Sequence, residues 1–112
     1  MRFLTFAAAA LLLPAAAMAE ISTDVVTYSC DNQRSLDVAY INAGEDSFAV
    51  MSEGGALVVL PIAVSASGAR YLEESRQLEW WTKGDEGFLT QLGEPEIPLY
   101  QNCVAASKPA EG

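Results

Sequence analysis

Beyond Val25 the chain is cut into eight short runs rich in β-branched and aromatic residues, each bounded by turn formers, and this spacing constrains the fold more than any single motif. The runs are 25–30, 34–41, 47–52, 56–64, 69–74, 77–83, 87–92 and 97–103. Asp31-Asn32, Asn42-Ala43-Gly44, Gly54-Gly55, Gly68, Gly84-Asp85-Glu86 and Gly93-Glu94-Pro95 punctuate them. Connections this short suit antiparallel neighbours and leave no length for helical crossovers. Alternation supports the strands: Leu36, Val38 and Tyr40 fall on one face and Ser35, Asp37 and Ala39 on the other, while Leu78 and Trp80 oppose Glu79 and Trp81. Pro61 cannot donate to a ladder, so it is expected at an edge, at a bulge or where the fourth strand bends. The chain therefore reads as all-β, a sandwich or a barrel, and a small closed or nearly closed barrel would remove the edges that invite aggregation. Residues 104–112 read as a frayed tail.

Residues 1–19 stand apart from this pattern. Sixteen of the nineteen are apolar, Arg2 supplies a positive start, and Ala17-Met18-Ala19 forms a small-x-small site just ahead of the polar Glu20, Ser22, Thr23 and Asp24. These are the marks of a secretory signal peptide cut after Ala19, leaving one domain over residues 20–112. Glu20, and not a cysteine, follows the cut, so no thioether-linked lipid and no stable membrane anchor are expected. A soluble periplasmic protein is the simplest outcome. Export also bears on the two cysteines, because an oxidising compartment makes a disulfide between Cys30 and Cys103 the expected state. Closing a loop of about 70 residues is worth roughly 4 kcal/mol in the chain-entropy view, a large share of the stability of so small a core.

With the leader removed, five basic residues (Arg34, Arg70, Arg76, Lys83, Lys108) stand against fifteen acidic ones, a net charge of −10. That excludes nucleic acid and anionic lipid as partners, since phosphate binding needs clustered positive charge. It favours a basic partner or plain solubility. There is no histidine, which removes histidine-based catalysis and the usual zinc sites. Ser67 with Lys83 could form a nucleophile and base, but such a lysine needs a dry pocket that a small barrel hardly provides. Glu73, Glu74, Asp85 and Glu86 could imitate a glycosidase pair, yet acidic residues in turns are ordinarily solvated. No phosphate loop, metal-ligand cluster or basic aromatic stripe is present, so neither catalysis nor a metal or cofactor is expected.

Two segments stand out, Ser65-Ala66-Ser67-Gly68-Ala69-Arg70-Tyr71 and Trp80-Trp81-Thr82-Lys83-Gly84-Asp85-Glu86. Each alone could be a hairpin turn flanked by core aromatics. Together with the Tyr28-x-Cys30-Asp31 opening and the closing Cys103, the chain resembles the membrane-bound and periplasmic inhibitors of c-type (chicken-type) lysozyme made by Gram-negative bacteria. The resemblance runs from Tyr28 to Cys103. Ser67-Gly68-Ala69-Arg70-Tyr71 is similar to the family's SGxxY loop, and Trp81-Thr82-Lys83-Gly84 to its W-x-K-G segment. It implies an eight-stranded antiparallel β-barrel with one disulfide, whose loop enters the lysozyme cleft. It also implies that Ser67 and Lys83 lie nearest the catalytic carboxyls, with Gly68, Arg70, Tyr71 and Thr82 in support. Arg70 could instead brace the loop through an ion pair with Glu73 or Glu74. The alternative from another class is a small periplasmic barrel that binds a ligand or a peptidoglycan fragment, with Trp80 or Trp81 as a stacking platform.

Overall fold

Eight antiparallel strands close into a barrel in chain order: β1 (Ile21–Ser29), β2 (Ser35–Ala43), β3 (Asp46–Glu53), β4 (Ala56–Ala63), β5 (Ala69–Glu73), β6 (Leu78–Lys83), β7 (Glu86–Gln91) and β8 (Ile97–Ala105). The computed structural model describes residues 20–106, so the cleavage expected after Ala19 and the segment from 107 onward lie outside the described residues. Three hairpins turn in two residues, closing on the pairs Ala43 with Asp46, Glu53 with Ala56, and Lys83 with Glu86. The strand spacing and the resemblance both pointed to this architecture.

Two strands run further than their composition suggests. β1 starts at Ile21, because the polar stretch Ile21–Asp24 lies in register with Tyr40–Ala43 of β2. β8 continues to Ala105, two residues into the segment expected to fray, because Val104 pairs with Ser29 and Glu86, and Ala105 with Tyr28. These are the pairs that close the barrel. Pro61 sits where β4 changes partner: Phe48 of β3 is opposite Pro61, and the next residue, Ile62, pairs with Tyr71 of β5. A residue without an N–H is tolerated best at such a changeover.

Period-two alternation fills the interior with Leu36, Val38, Ala49, Met51, Val58, Leu60, Leu78, Trp80 and Leu89, all buried. Trp80 is the largest fully buried side chain. The ring of Tyr28 meets it edge-on with centroids 5.1 Å apart, its indole N–H donates to the Tyr40 hydroxyl at 2.9 Å, and the Tyr28 and Tyr40 hydroxyls share a bond of 2.6 Å. The polar tips of three aromatic side chains thus satisfy one another inside the barrel, as buried indole and phenol groups require. Burial pushes the pKa of Tyr28, Tyr40 and Tyr71 upward, most strongly for Tyr40. Gly87 of β7 makes room for the indole, since a Cβ there would stand 2.5 Å from two of its ring carbons. The disulfide joins Cys30, just past β1, to the fully buried Cys103 of β8, as export led us to expect.

Candidate functional site

In an up-and-down barrel alternate connections emerge at the same end, so the β4–β5 loop and the β6–β7 turn share one rim. Ala69 pairs with Thr82, which brings Ser67 and Gly68 beside Thr82 and Lys83. Gly68 has φ +70°, and a Cβ on it would collide with the Thr82 carbonyl oxygen and come within 3.4 Å of the Lys83 Cβ. A side chain at this position would force the loop off the strand, so glycine is needed both for its conformation and for its lack of bulk.

The loop backbone is pinned at one atom. The Ser67 carbonyl oxygen accepts from the Ser65 hydroxyl at 2.5 Å and from the Trp81 indole N–H at 3.1 Å. Ser67 and Lys83 are both exposed, and among the described residues the Lys83 ammonium has no ion-pair partner. A pinned backbone therefore presents an unpaired hydroxyl and an unpaired ammonium from neighbouring connections of one rim. Thr82, opposite Ala69, is half-buried. A lysine acting as base for Ser67 would have to be enclosed, and Lys83 is not.

Two of the six residues implied by the resemblance face elsewhere. Tyr71 points into the barrel, 8% exposed, with its ring centre 5.7 Å from that of Tyr40. It anchors β5 from inside. Arg70 is braced internally, but its partner is Glu79 of β6, at 2.5 Å, and neither Glu73 nor Glu74. The reason is register: Arg70 is opposite Trp81, and the same-face diagonal neighbour on β6 is Glu79. Glu73 instead caps the next turn, accepting from the Ser75 hydroxyl and backbone N–H and from the Arg76 N–H. The Ser75 hydroxyl bond, the backbone bonds and the Arg76 charge hold its carboxyl below the usual carboxylate range.

Of the two candidate stacking residues, Trp80 is fully buried and cannot serve as a platform. Trp81 lies on the outer wall, half-buried, stacked on Phe88. The part that sequence reasoning missed is the grip of Trp81 and Ser65 on the Ser67 carbonyl. No sequence signal marks a side-chain bond to a backbone atom across strands.

Residues 28–97 match the family model described as membrane-bound lysozyme-inhibitor of c-type lysozyme. A protein of Cupriavidus necator named membrane-bound lysozyme inhibitor of C-type lysozyme is 43% identical over 82 residues, 71% of this chain and 64% of that protein. One of the same name from Pseudomonas aeruginosa is 42% identical over 73 residues, 63% of this chain and 55% of that protein. The chain thus spans less than two thirds of the length of the curated relatives it matches. The periplasmic lysozyme inhibitor PliC from Salmonella typhimurium shares the fold, with a TM-score of 0.69 at 22% identity, over 77% of this chain and 100% of its own. The structure of Pseudomonas aeruginosa MliC in complex with hen egg white lysozyme aligns with a TM-score of 0.63 at 35% identity, over 79% of this chain and 86% of that one.

Proposed function

Since the chain belongs to the family of membrane-bound lysozyme inhibitors of c-type lysozyme, we propose that it is an exported, non-catalytic inhibitor that closes the cleft of such an enzyme with the Ser67 loop and the Lys83 turn. One observation carries the reading: Ser67 and Lys83 stand together on a pinned rim, exposed and without internal partners. A relative of known structure, bound to hen egg white lysozyme, supports the class of partner.

The chemistry of the rim matches that of the target cleft. Lysozymes of this type work with a protonated glutamic acid and an ionised aspartate. The Lys83 ammonium is suited to face the ionised carboxylate, and the Ser67 hydroxyl can donate to one oxygen while accepting from a protonated acid. With no Cβ at Gly68 the loop packs directly on the Thr82 carbonyl, which sets the Ser67 backbone beside the Lys83 turn. Thr82 supports the Lys83 side, whereas Arg70 and Tyr71 act from behind, holding β5 to β6 and to the interior. The net charge of −10 has a separate role: it steers the inhibitor toward a basic enzyme, acting on the association rate.

The domain assignment proposed with this function is a leader over 1–19, removed in export, and an inhibitor domain from Glu20 onward that is released into the periplasm without a lipid. Intact-mass measurement of the exported protein tests it, and a mass carrying diacylglycerol contradicts it. The functional test is a cell-wall lysis assay with a c-type lysozyme and purified protein. Dose-dependent, saturable inhibition is expected, and unaltered lysis at excess protein rejects the proposal.

A further inference from the structure

On the outside of the barrel Trp81 of β6 is directly opposite Phe88 of β7, the ring centres 5.9 Å apart and the planes 29° from parallel. Both rings are half-buried, so the stacked pair leaves part of its aromatic surface open to solvent as a tray at the wall of the barrel. Next to it the ladder to β8 slips. Gly87 pairs with Cys103 and Leu89 with Tyr100, so the single residue Phe88 faces two, Gln101 and Asn102. The extra residue is accommodated by a left-handed conformation at Asn102, φ 52°, which asparagine adopts more readily than most residues with a side chain.

The slip places two exposed primary amides beside the tray. Asn102 Nδ2 donates to Asp31 Oδ2 at 2.7 Å, which fixes that amide and leaves its Oδ1 free to accept. The side-chain amide of Gln101 has no partner among the described residues and can both donate and accept. Thr90 and Pro98, the next cross-strand pair, close the far side of a hollow of about 360 Å³. The rim uses only the indole N–H of Trp81, and neither the rim nor the barrel core uses the ring faces or the two amides. A bulge that re-aims side chains is over-represented next to functional sites.

We propose that this face of β6, β7 and β8 binds a neutral oligosaccharide bearing N-acetyl groups. A pyranose ring offers an apolar C–H face to a flat aromatic surface and a fringe of polar groups to side chains at its edge. An acetamido group presents one donor and one acceptor, the complement of a primary amide. Acidic sugars are disfavoured by the strongly acidic net charge, and Glu79, which lines the same hollow, is already paired with Arg70. The Trp81 bond to Ser67 places the groove next to the rim, but the proposal does not depend on inhibition of lysozyme.

The test is titration of the isotope-labelled protein, with no lysozyme present, by N,N′,N″-triacetylchitotriose, followed by NMR. Saturable shifts are expected at the Trp81 indole N–H and the Gln101 and Asn102 side-chain amides. Gln101→Ala, an exposed position, should fold normally and weaken binding by about tenfold, the effect of a lost hydrogen bond. Maltotriose, which lacks acetamido groups, should bind more weakly. The absence of saturable shifts at millimolar sugar, shifts centred elsewhere, or an affinity indifferent to Gln101→Ala overturns the site, and equal binding of maltotriose overturns the acetamido preference.

Discussion

The interior between β5 and β6 and the rim above it are made from the same two short stretches of sequence, yet they are held in opposite ways. Inside, Trp80 and Tyr71 are enclosed, and the indole N–H and the two neighbouring tyrosine hydroxyls bond to one another. At the rim, the backbone of Ser67 is gripped by Ser65 and Trp81 while the Ser67 and Lys83 side chains face water. The interior fixes the position of the rim, and the rim keeps its functional groups unspent. Substitutions should therefore separate cleanly, with interior changes costing stability and rim changes costing binding alone.

The sharpest break of the comparison is Trp80→Ala, expected to lower unfolding free energy by about 3–5 kcal/mol in urea titrations because it empties the centre of the core. Replacing Cys30 and Cys103 together by serine should cost about 2–5 kcal/mol by the same measurement. Gly87→Ala intrudes on the Trp80 ring and should cost about 1–3 kcal/mol. The buried tyrosines add a dependence on pH. Folding raises the pH at which they ionise, so above about pH 10 the unfolded chain releases protons that the folded one keeps, and stability falls as pH rises further. Urea midpoints compared at about pH 8 and about pH 11 should show the drop, and Tyr40→Phe should reduce it. Arg70→Ala should have the smallest effect on stability, about 1 kcal/mol or less, because its pair with Glu79 is partly exposed. A larger loss would move Arg70 from the wall of the barrel into its core.

Much of this division was legible in the sequence. Alternation put Trp80 and Trp81 on opposite faces without saying which faced inward, and the resemblance brought Ser67 and Lys83 to one end. Register was not legible. The pairing of Arg70 with Glu79 depends on which residues are diagonal across two strands, and composition alone cannot tell Glu73 or Glu74 from Glu79 as its partner. The slip opposite Phe88 is equally hidden, since one extra residue in β8 leaves its polar and apolar content unchanged. Tyr71 shows the opposite case: it belongs to a motif that suggests contact, but its place opposite Trp80 turns it inward.

The most direct test of the rim as the inhibitory surface is the inhibition constant of the Ser67→Ala, Lys83→Ala double variant against a c-type lysozyme, measured with its thermal unfolding. A desolvated ion pair and a hydroxyl bond are together worth several kcal/mol, about 2–5 for the first and about 1–3 for the second, so inhibition should weaken by about a hundredfold or more. Because both side chains are exposed, the unfolding midpoint should stay close to that of the unaltered protein. Inhibition within about twofold of the unaltered protein, from a double variant that is fully folded, would contradict the assignment of the cleft-blocking surface to this end of the barrel.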